Sequence, residues 1–210
     1  MLKLSSYVTG KLQMAEVLIL ACSAGGFKVL FNMLKALPTD LPVGVLVVIH
    51  RNARYETHIE ESIMAKSHIT IKVAEEKEQI RPGTAYFAPA GYHLLVEPDR
   101  SISLDTSEPV NFCRPSIDVT MQSAADIYGP GTLAVLLSGA NQDGAQGMRA
   151  VQHAAGLCIV QHPEQAEIRT MPEAAINLGA ADLILTNEEL VTFSQQLANY
   201  ILGGDQSWRN

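Results

Sequence analysis

Three polar residues with the chemistry of an acyl-transfer site stand far apart in this chain, each just past an apolar run. Ser23 follows Val17-Leu18-Ile19-Leu20-Ala21-Cys22, His50 closes the run 43–49, and Asp143 follows the run 132–137 through Ser138-Gly139-Ala140-Asn141-Gln142. A serine hydroxyl is a weak nucleophile until an imidazole takes its proton, and a carboxylate holds that imidazole and offsets its charge. The three residues can cooperate only if the fold gathers them. An open parallel sheet does so, because the carboxyl ends of its strands share one edge, and ligands bind in the crevice there.

Each residue also has a plainer reading. Ser23 lies where a strand turns into a helix, beside backbone N–H groups and a helix dipole that favour negative charge. Such donors suit a tetrahedral oxyanion, and Gly25-Gly26 leaves room for a substrate carbonyl. Equally, Ser23 could cap the helix while the glycines ease packing. His50 could be a structural strand-end histidine. Its rival as base is His93, after Pro89-Ala90-Gly91-Tyr92; His58 and His68 lie in a polar stretch, and His153 faces out of a helix. Asp143 precedes Gly144 where a helix opens, so it could be a cap, and Asp118 in Arg114-Pro115-Ser116-Ile117-Asp118 is the alternative acid. No H-E-x-x-H or clustered ligand spacing points to a metal. Ser23-Ala24-Gly25-Gly26 fits neither a dinucleotide fingerprint nor a phosphate loop, so no cofactor is expected. Nor is this the G-x-S-x-G elbow of α/β-hydrolases.

The elements that must position these residues are short apolar runs at 17–22, 43–49, 69–74, 84–88, 132–137, 157–161 and 182–186. Runs apolar on both faces are strands covered on both sides by helices. A mostly apolar helix is predicted over 27–37, ending before Pro38. A second spans 144–155 and stops at Gly156, a favoured helix end. A last one starts at the capping box Thr186-Asn187-Glu188-Glu189 and runs to Gly203. Residues 93–97 and 101–105 alternate around Pro98-Asp99-Arg100 and read as an antiparallel hairpin inserted in the parallel framework. Residues 1–14 show no periodicity and read as an N-terminal extension, with one domain over 15–210.

At 210 residues, with 47% hydrophobic and 18% charged residues, the chain has an ordinary globular balance. A net charge of −7 and a pI near 5.3 argue against nucleic acid as a partner. Cys22, Cys113 and Cys158 are odd in number and widely spaced, which argues against a disulfide scaffold and for a reducing cytoplasm. No apolar run reaches the roughly 20 residues of a membrane helix.

Taken together, these segments resemble the catalytic domain of the chemotaxis protein-glutamate methylesterases, the CheB family, over residues 16–202. The nucleophile segment A-S-T-G-G is matched by Cys22-Ser23-Ala24-Gly25-Gly26. The histidine-ended strand is matched by 45–50, and the acid loop L-T-G-x-G-x-D-G-A by Leu137-Ser138-Gly139-Ala140-Asn141-Gln142-Asp143-Gly144-Ala145. Further landmarks are Arg81-Pro82-Gly83-Thr84, Gly91-Tyr92-His93-Leu94, Arg114-Pro115-Ser116-Ile117-Asp118 and Met171-Pro172.

The resemblance implies a three-layer α/β/α sandwich around a seven-stranded, mostly parallel, doubly wound sheet with the hairpin attached. It also implies a serine esterase that removes γ-methyl esters from glutamyl side chains of chemoreceptors, with glutamine deamidation at the same site. By that resemblance Ser23, His50 and Asp143 take the triad roles, which demotes His93, and backbone amides near Ala24 and Ala140 hold the oxyanion. The implied partners are the methylated helical cytoplasmic region of chemoreceptors and a separate receiver protein, since no receiver domain precedes the catalytic part. Departures from the pattern are Ala24, the pair Ala140-Asn141 where Met-Gly is usual, and Arg51-Asn52 after His50. Asn141 lacks the backbone freedom of glycine. The alternatives are a receptor-binding module with impaired catalysis, or a hydrolase for a different ester.

Overall fold

The computed structural model describes residues 2–51 and 59–203. The elements run α1 (Ser6–Leu12), β1 (Val17–Cys22), α2 (Phe27–Ala36), β2 (Gly44–Ile49), α3 (Ile59–Met64), β3 (Thr70–Val73), β4 (Thr84–Phe87), β5 (His93–Val96), β6 (Ile102–Asp105), α4 (Ile117–Tyr128), β7 (Thr132–Leu136), α5 (Ala145–His153), β8 (Leu157–Gln161), α6 (Thr170–Asn177), β9 (Leu183–Leu185) and α7 (Asn187–Ile201).

Seven strands form one sheet in the order β3-β4-β2-β1-β7-β8-β9, and every neighbouring pair is parallel. The chain moves outward from β1 through β2 in one direction and through β7, β8 and β9 in the other. The reversal beside β1 makes the β1–β7 edge the topological switch point, where the crevice of a doubly wound sheet opens. β5 and β6 pair antiparallel as a separate two-stranded sheet, as the alternating pattern of 93–105 predicts.

Side-chain alternation splits the core in two. Leu18, Leu20, Cys22, Val45, Val47 and Ile49 point to one face, with α2 and α7 residues such as Leu30, Leu34, Phe193 and Leu197. Val17, Ile19, Ala21, Leu46 and Val48 point to the other, with Ile117, Met121, Met148 and Met171 of α4, α5 and α6. The result is an α/β/α sandwich. Among the described residues no helix is long and apolar enough to cross a membrane.

Two local features differ from the sequence reading. The aperiodic stretch before β1 contains α1, capped by Ser5, whose Val8 and Leu12 are buried in the α2–α7 face of the core. Lys11 fastens it by reaching the Gly156 carbonyl at 2.7 Å and Asp182 at 3.3 Å. Seven residues with two buried positions are too few to show a helical period. After α5 the left-handed residue is Ala155 (φ +63°) rather than Gly156. Gly156 is needed because a Cβ there would lie 2.5 Å from the Thr132 carbonyl oxygen.

Candidate active site

Cys22 of β1 and Ile49 of β2 are register partners, so Ser23 and His50 are the next pair along, on strands about 5 Å apart. The His50 amide donates to the Cys22 carbonyl at 3.2 Å, which carries the pairing one step past the strand ends. Alternation puts both residues on the face of Ala21 and Val48, the face that α4 and α5 cover. Ser23 donates its own N–H to the Ser138 carbonyl at 2.9 Å, fastening β1 to the loop after β7.

The turn after Ser23 is tight: its carbonyl accepts from Gly26 N–H at 3.1 Å, and Gly25 is left-handed at φ +78°. A Cβ on Gly25 would meet Glu167 Cβ at 2.5 Å and Ser138 Oγ at 2.8 Å. Gly25 therefore admits neighbouring protein, not a substrate carbonyl, and the packing reading of this glycine is the correct one. Gly26 holds the N-cap position of α2 without any side-chain cap, so Ser23 is not the cap. Among the described residues the Ser23 hydroxyl has no hydrogen-bond partner.

Asp143 is fully buried and saturated with donors. Its Oδ2 lies 2.6 Å from His50 Nε2 and accepts from Ile117 N–H at 2.6 Å; its Oδ1 accepts from Ser116 Oγ at 2.7 Å and Asp118 N–H at 3.2 Å. The carboxylate thus sits on the first turn of α4, where free amides and the dipole favour negative charge. Gly144, at φ +96°, makes the turn into α5; a Cβ there would strike Leu136 and Ile117.

Burial opposes ionisation of Asp143, but the bonds from His50, Ser116 and Ile117 outweigh it and hold the carboxyl below its usual range. Burial also opposes charge on His50, yet Asp143 and then Cys113 outweigh it and lift the imidazole to about 9.

The other candidates have different duties. His93 is buried; Ser116 N–H donates to its Nδ1 at 3.1 Å, and its Nε2 lies 3.2 Å from the Glu108 carbonyl. Through its contact with Ser116 N–H it places the start of α4 under Asp143. Asp118 accepts from Gly144 and Gly147 N–H at 2.8 and 2.7 Å, capping α5. Burial, reinforced by the charge of Asp143, pushes its carboxyl up to about 6. His68 and His153 are exposed; His58 and Asn52 lie outside the described residues. Arg51 turns inward to pair with Glu60 at 2.6 Å.

Ala24 and Ala140 are exposed at the rim, and among the described residues neither amide has an acceptor. Asn141 is not left-handed, so the position does not require glycine. Its side chain accepts from Asp143 N–H at 3.2 Å and reaches Cys113 Sγ at 3.1 Å.

Sequence reasoning missed Ser138 and Cys113. The Ser138 hydroxyl, fully buried, lies 2.9 and 3.0 Å from the carbonyls of Ala24 and Ile168 and accepts from Ile168 N–H at 2.9 Å. It joins the serine turn, the acid loop and the segment leading to Met171. Its hydroxyl between Leu137 and Gly139 is the signal that was available. Cys113 Sγ stands 3.5 Å from His50 Nδ1. His50, Cys113 and Asp143 offer ligand atoms within 4.8 Å of one another. Among them, Asp143 Oδ2 meets Nε2 and Cys113 Sγ meets Nδ1.

A parallel sheet whose switch-point rim carries a hydroxyl, an imidazole–carboxylate pair and two free amides has the layout of an acyl-transfer enzyme fold. The CheB methylesterase family model matches residues 18–193, and this chain belongs to that family. A protein of Leptospira interrogans, provisionally named a protein-glutamate methylesterase/protein-glutamine glutaminase, is 40% identical over 175 residues, 83% of this chain and 91% of that protein. The enzyme of that name from Symbiobacterium thermophilum is 34% identical over 170 residues, 81% of this chain but 47% of its own length. The crystal structure of the Thermotoga maritima CheB methylesterase catalytic domain matches with a TM-score of 0.79 at 30% identity, over 85% of this chain and 98% of that one.

Proposed function

We propose that this chain is a protein-glutamate methylesterase in which Ser23 is the nucleophile, His50 the base and Asp143 the orienting acid. The observation that carries this reading is the 2.6 Å bond between His50 Nε2 and Asp143 Oδ2, at the end of the strand paired with that of Ser23; among the described residues the Ser23 hydroxyl makes no hydrogen bond, to His50 included. Because Asp143 holds Nε2, the proton of Ser23 must pass to Nδ1. Ser23 Oγ attacks the γ-carbonyl of a glutamyl methyl ester, and the oxyanion is met by the amides of Ala24 and Ala140. Nδ1 returns the proton to the departing methanol. Water then attacks the acyl-enzyme with the same base, freeing glutamate and Ser23. A glutamine side-chain amide would follow the same path with ammonia as leaving group. No metal or cofactor enters these steps.

The names of the relatives support a protein glutamyl ester as substrate. The methylated helical region of a chemoreceptor is the partner that fits, reached in a cytoplasmic setting, and a separate receiver protein is a candidate regulator. The test is methanol release from methyl-labelled receptor fragments. Ser23→Ala should lower turnover by roughly 10⁴-fold or more, because the three side chains act as a unit. Wild-type turnover in that variant would remove Ser23 from the mechanism. A fluorophosphonate that labels Ser23 while receptor esters remain intact would instead point to a different ester.

A further inference from the structure

We propose that Cys113 is a thiol-modification site built into the catalytic centre, where a hydroperoxide oxidises its sulfur and the product blocks His50. The regulatory half of this proposal rests on His50 acting as the base described above.

The thiol does not stand alone. Its Sγ is 3.5 Å from His50 Nδ1, the nitrogen that Asp143 leaves free, and the Asn141 amide donates to it at 3.1 Å. An adjacent base activates a cysteine nucleophile by taking its proton as the new bond forms. Cys113 and His50 both line an open cavity of about 430 Å³, so a small oxidant can reach the sulfur. Its backbone is fixed by a tight turn in which Cys113 and Val110 exchange both N–H···O bonds, at 2.8 and 3.1 Å. Asn111 and Phe112 complete that turn with left-handed φ of +50° and +63°.

The other two cysteines are natural controls. Cys22 and Cys158 are buried in the two halves of the core, and burial pushes both thiols up to about 12.

In the reaction, an unprotonated His50 takes the thiol proton at Nδ1 and the sulfur attacks the near peroxide oxygen. An S–O bond forms and the O–O bond breaks, with two electrons leaving sulfur. The departing hydroxide takes the proton and leaves as water. The sulfenic acid is reversed by an added thiol, through a mixed disulfide and loss of water. While present, its oxygen occupies the space at Nδ1 through which the Ser23 proton has to move.

The experiment treats the full chain with dilute hydrogen peroxide, maps sulfenic acid with dimedone by mass spectrometry, and follows ester hydrolysis before and after reduction. Cys113 should be modified at least about tenfold faster than Cys22 or Cys158. His50→Ala should slow that modification. Wild-type protein should lose activity in step with it and regain activity on reduction. Cys113→Ala, measured against its own untreated rate, should resist the treatment. Equal modification of the three cysteines, modification of Cys113 without loss of activity, or an equal fractional loss in Cys113→Ala would each overturn the proposal. If untreated protein hydrolyses no ester, the esterase reading has failed separately. Fluorophosphonate labelling of Ser23 then replaces turnover as the readout. Should Ser23 not label either, the modification rates and their dependence on His50 decide alone.

Discussion

Asp143 and Asp118 are two buried carboxylates laid on two helix starts, and each lies beside the helix that the other caps. Asp143, just before α5, takes its donors from the first turn of α4, while Asp118, in the first turn of α4, takes Gly144 and Gly147 N–H at the start of α5. The surroundings are nearly alike and the outcomes are opposite. Asp143 is held below the usual carboxylate range, whereas Asp118 is pushed up to about 6. The difference is the cation: Asp143 has His50 at 2.6 Å, while Asp118 faces the neutral Asn111 amide at 3.1 Å and the carboxylate of Asp143 itself. A helix N-terminus makes a buried carboxylate tolerable, and the imidazole sets one of them apart.

The sharpest way to break this comparison is to neutralise each acid in turn. Asp143→Asn should cost roughly 10⁴-fold in ester turnover, because the imidazole loses both its orientation and its counter-charge. Asp118→Asn, which keeps an acceptor oxygen for the two glycine amides, should cost no more than about tenfold. Equal losses would mean that the two carboxylates act as one unit. A pH–rate profile sharpens the same contrast. A base must be unprotonated, so with His50 near 9 the wild-type rate should climb about tenfold per pH unit up to that region. Asp143→Asn should move this limb to lower pH, since the main partner of the imidazolium is gone. A profile flat from pH 5 to 8 would exclude His50 as the base.

The strands were legible because parallel-sheet strands are apolar on both faces; β1 and β8 fall at the predicted bounds. So was the position of Ser23, His50 and Asp143 past strand ends, since each follows an unbroken apolar run. The contacts that set their chemistry were not legible. Cys113, Ser116 and Asp118 lie 63, 27 and 25 residues from the partners they touch in the site. Nothing local in the segment 110–118 says that it wraps under the acid loop. Which of Asp118 and Asp143 meets the imidazole was hidden for the same reason: both lie at helix starts, and only the fold shows it. The four-residue turn at 110–113, with two non-glycine residues left-handed, follows no turn signature that the sequence displays.

The smallest effect separates the two acids through stability rather than rate. The Asp118 carboxyl keeps its proton up to about 6 in the fold against an ordinary value of 3.8. Between those values the native state binds more protons than the unfolded chain, so its contribution to stability falls as pH rises through that window. Asp143 runs the other way. Its folded pKa lies below 3.8, so its contribution is present above that value and is lost as pH falls through the folded one. His50, lifted from 6.5 to about 9, adds a contribution that is complete below 6.5 and fades as pH rises toward 9. Urea midpoints for wild type and Asp118→Asn should therefore diverge between pH 4 and 6.5. The variant should gain on the wild type as pH rises, by on the order of 1 kcal/mol. Asp118→Ala, which strands two buried amides, should be destabilised by roughly 1–3 kcal/mol throughout. A wild-type/Asn difference that stays constant across the window would show that Asp118 does not titrate there, and the contrast between the two carboxylates would reduce to geometry alone.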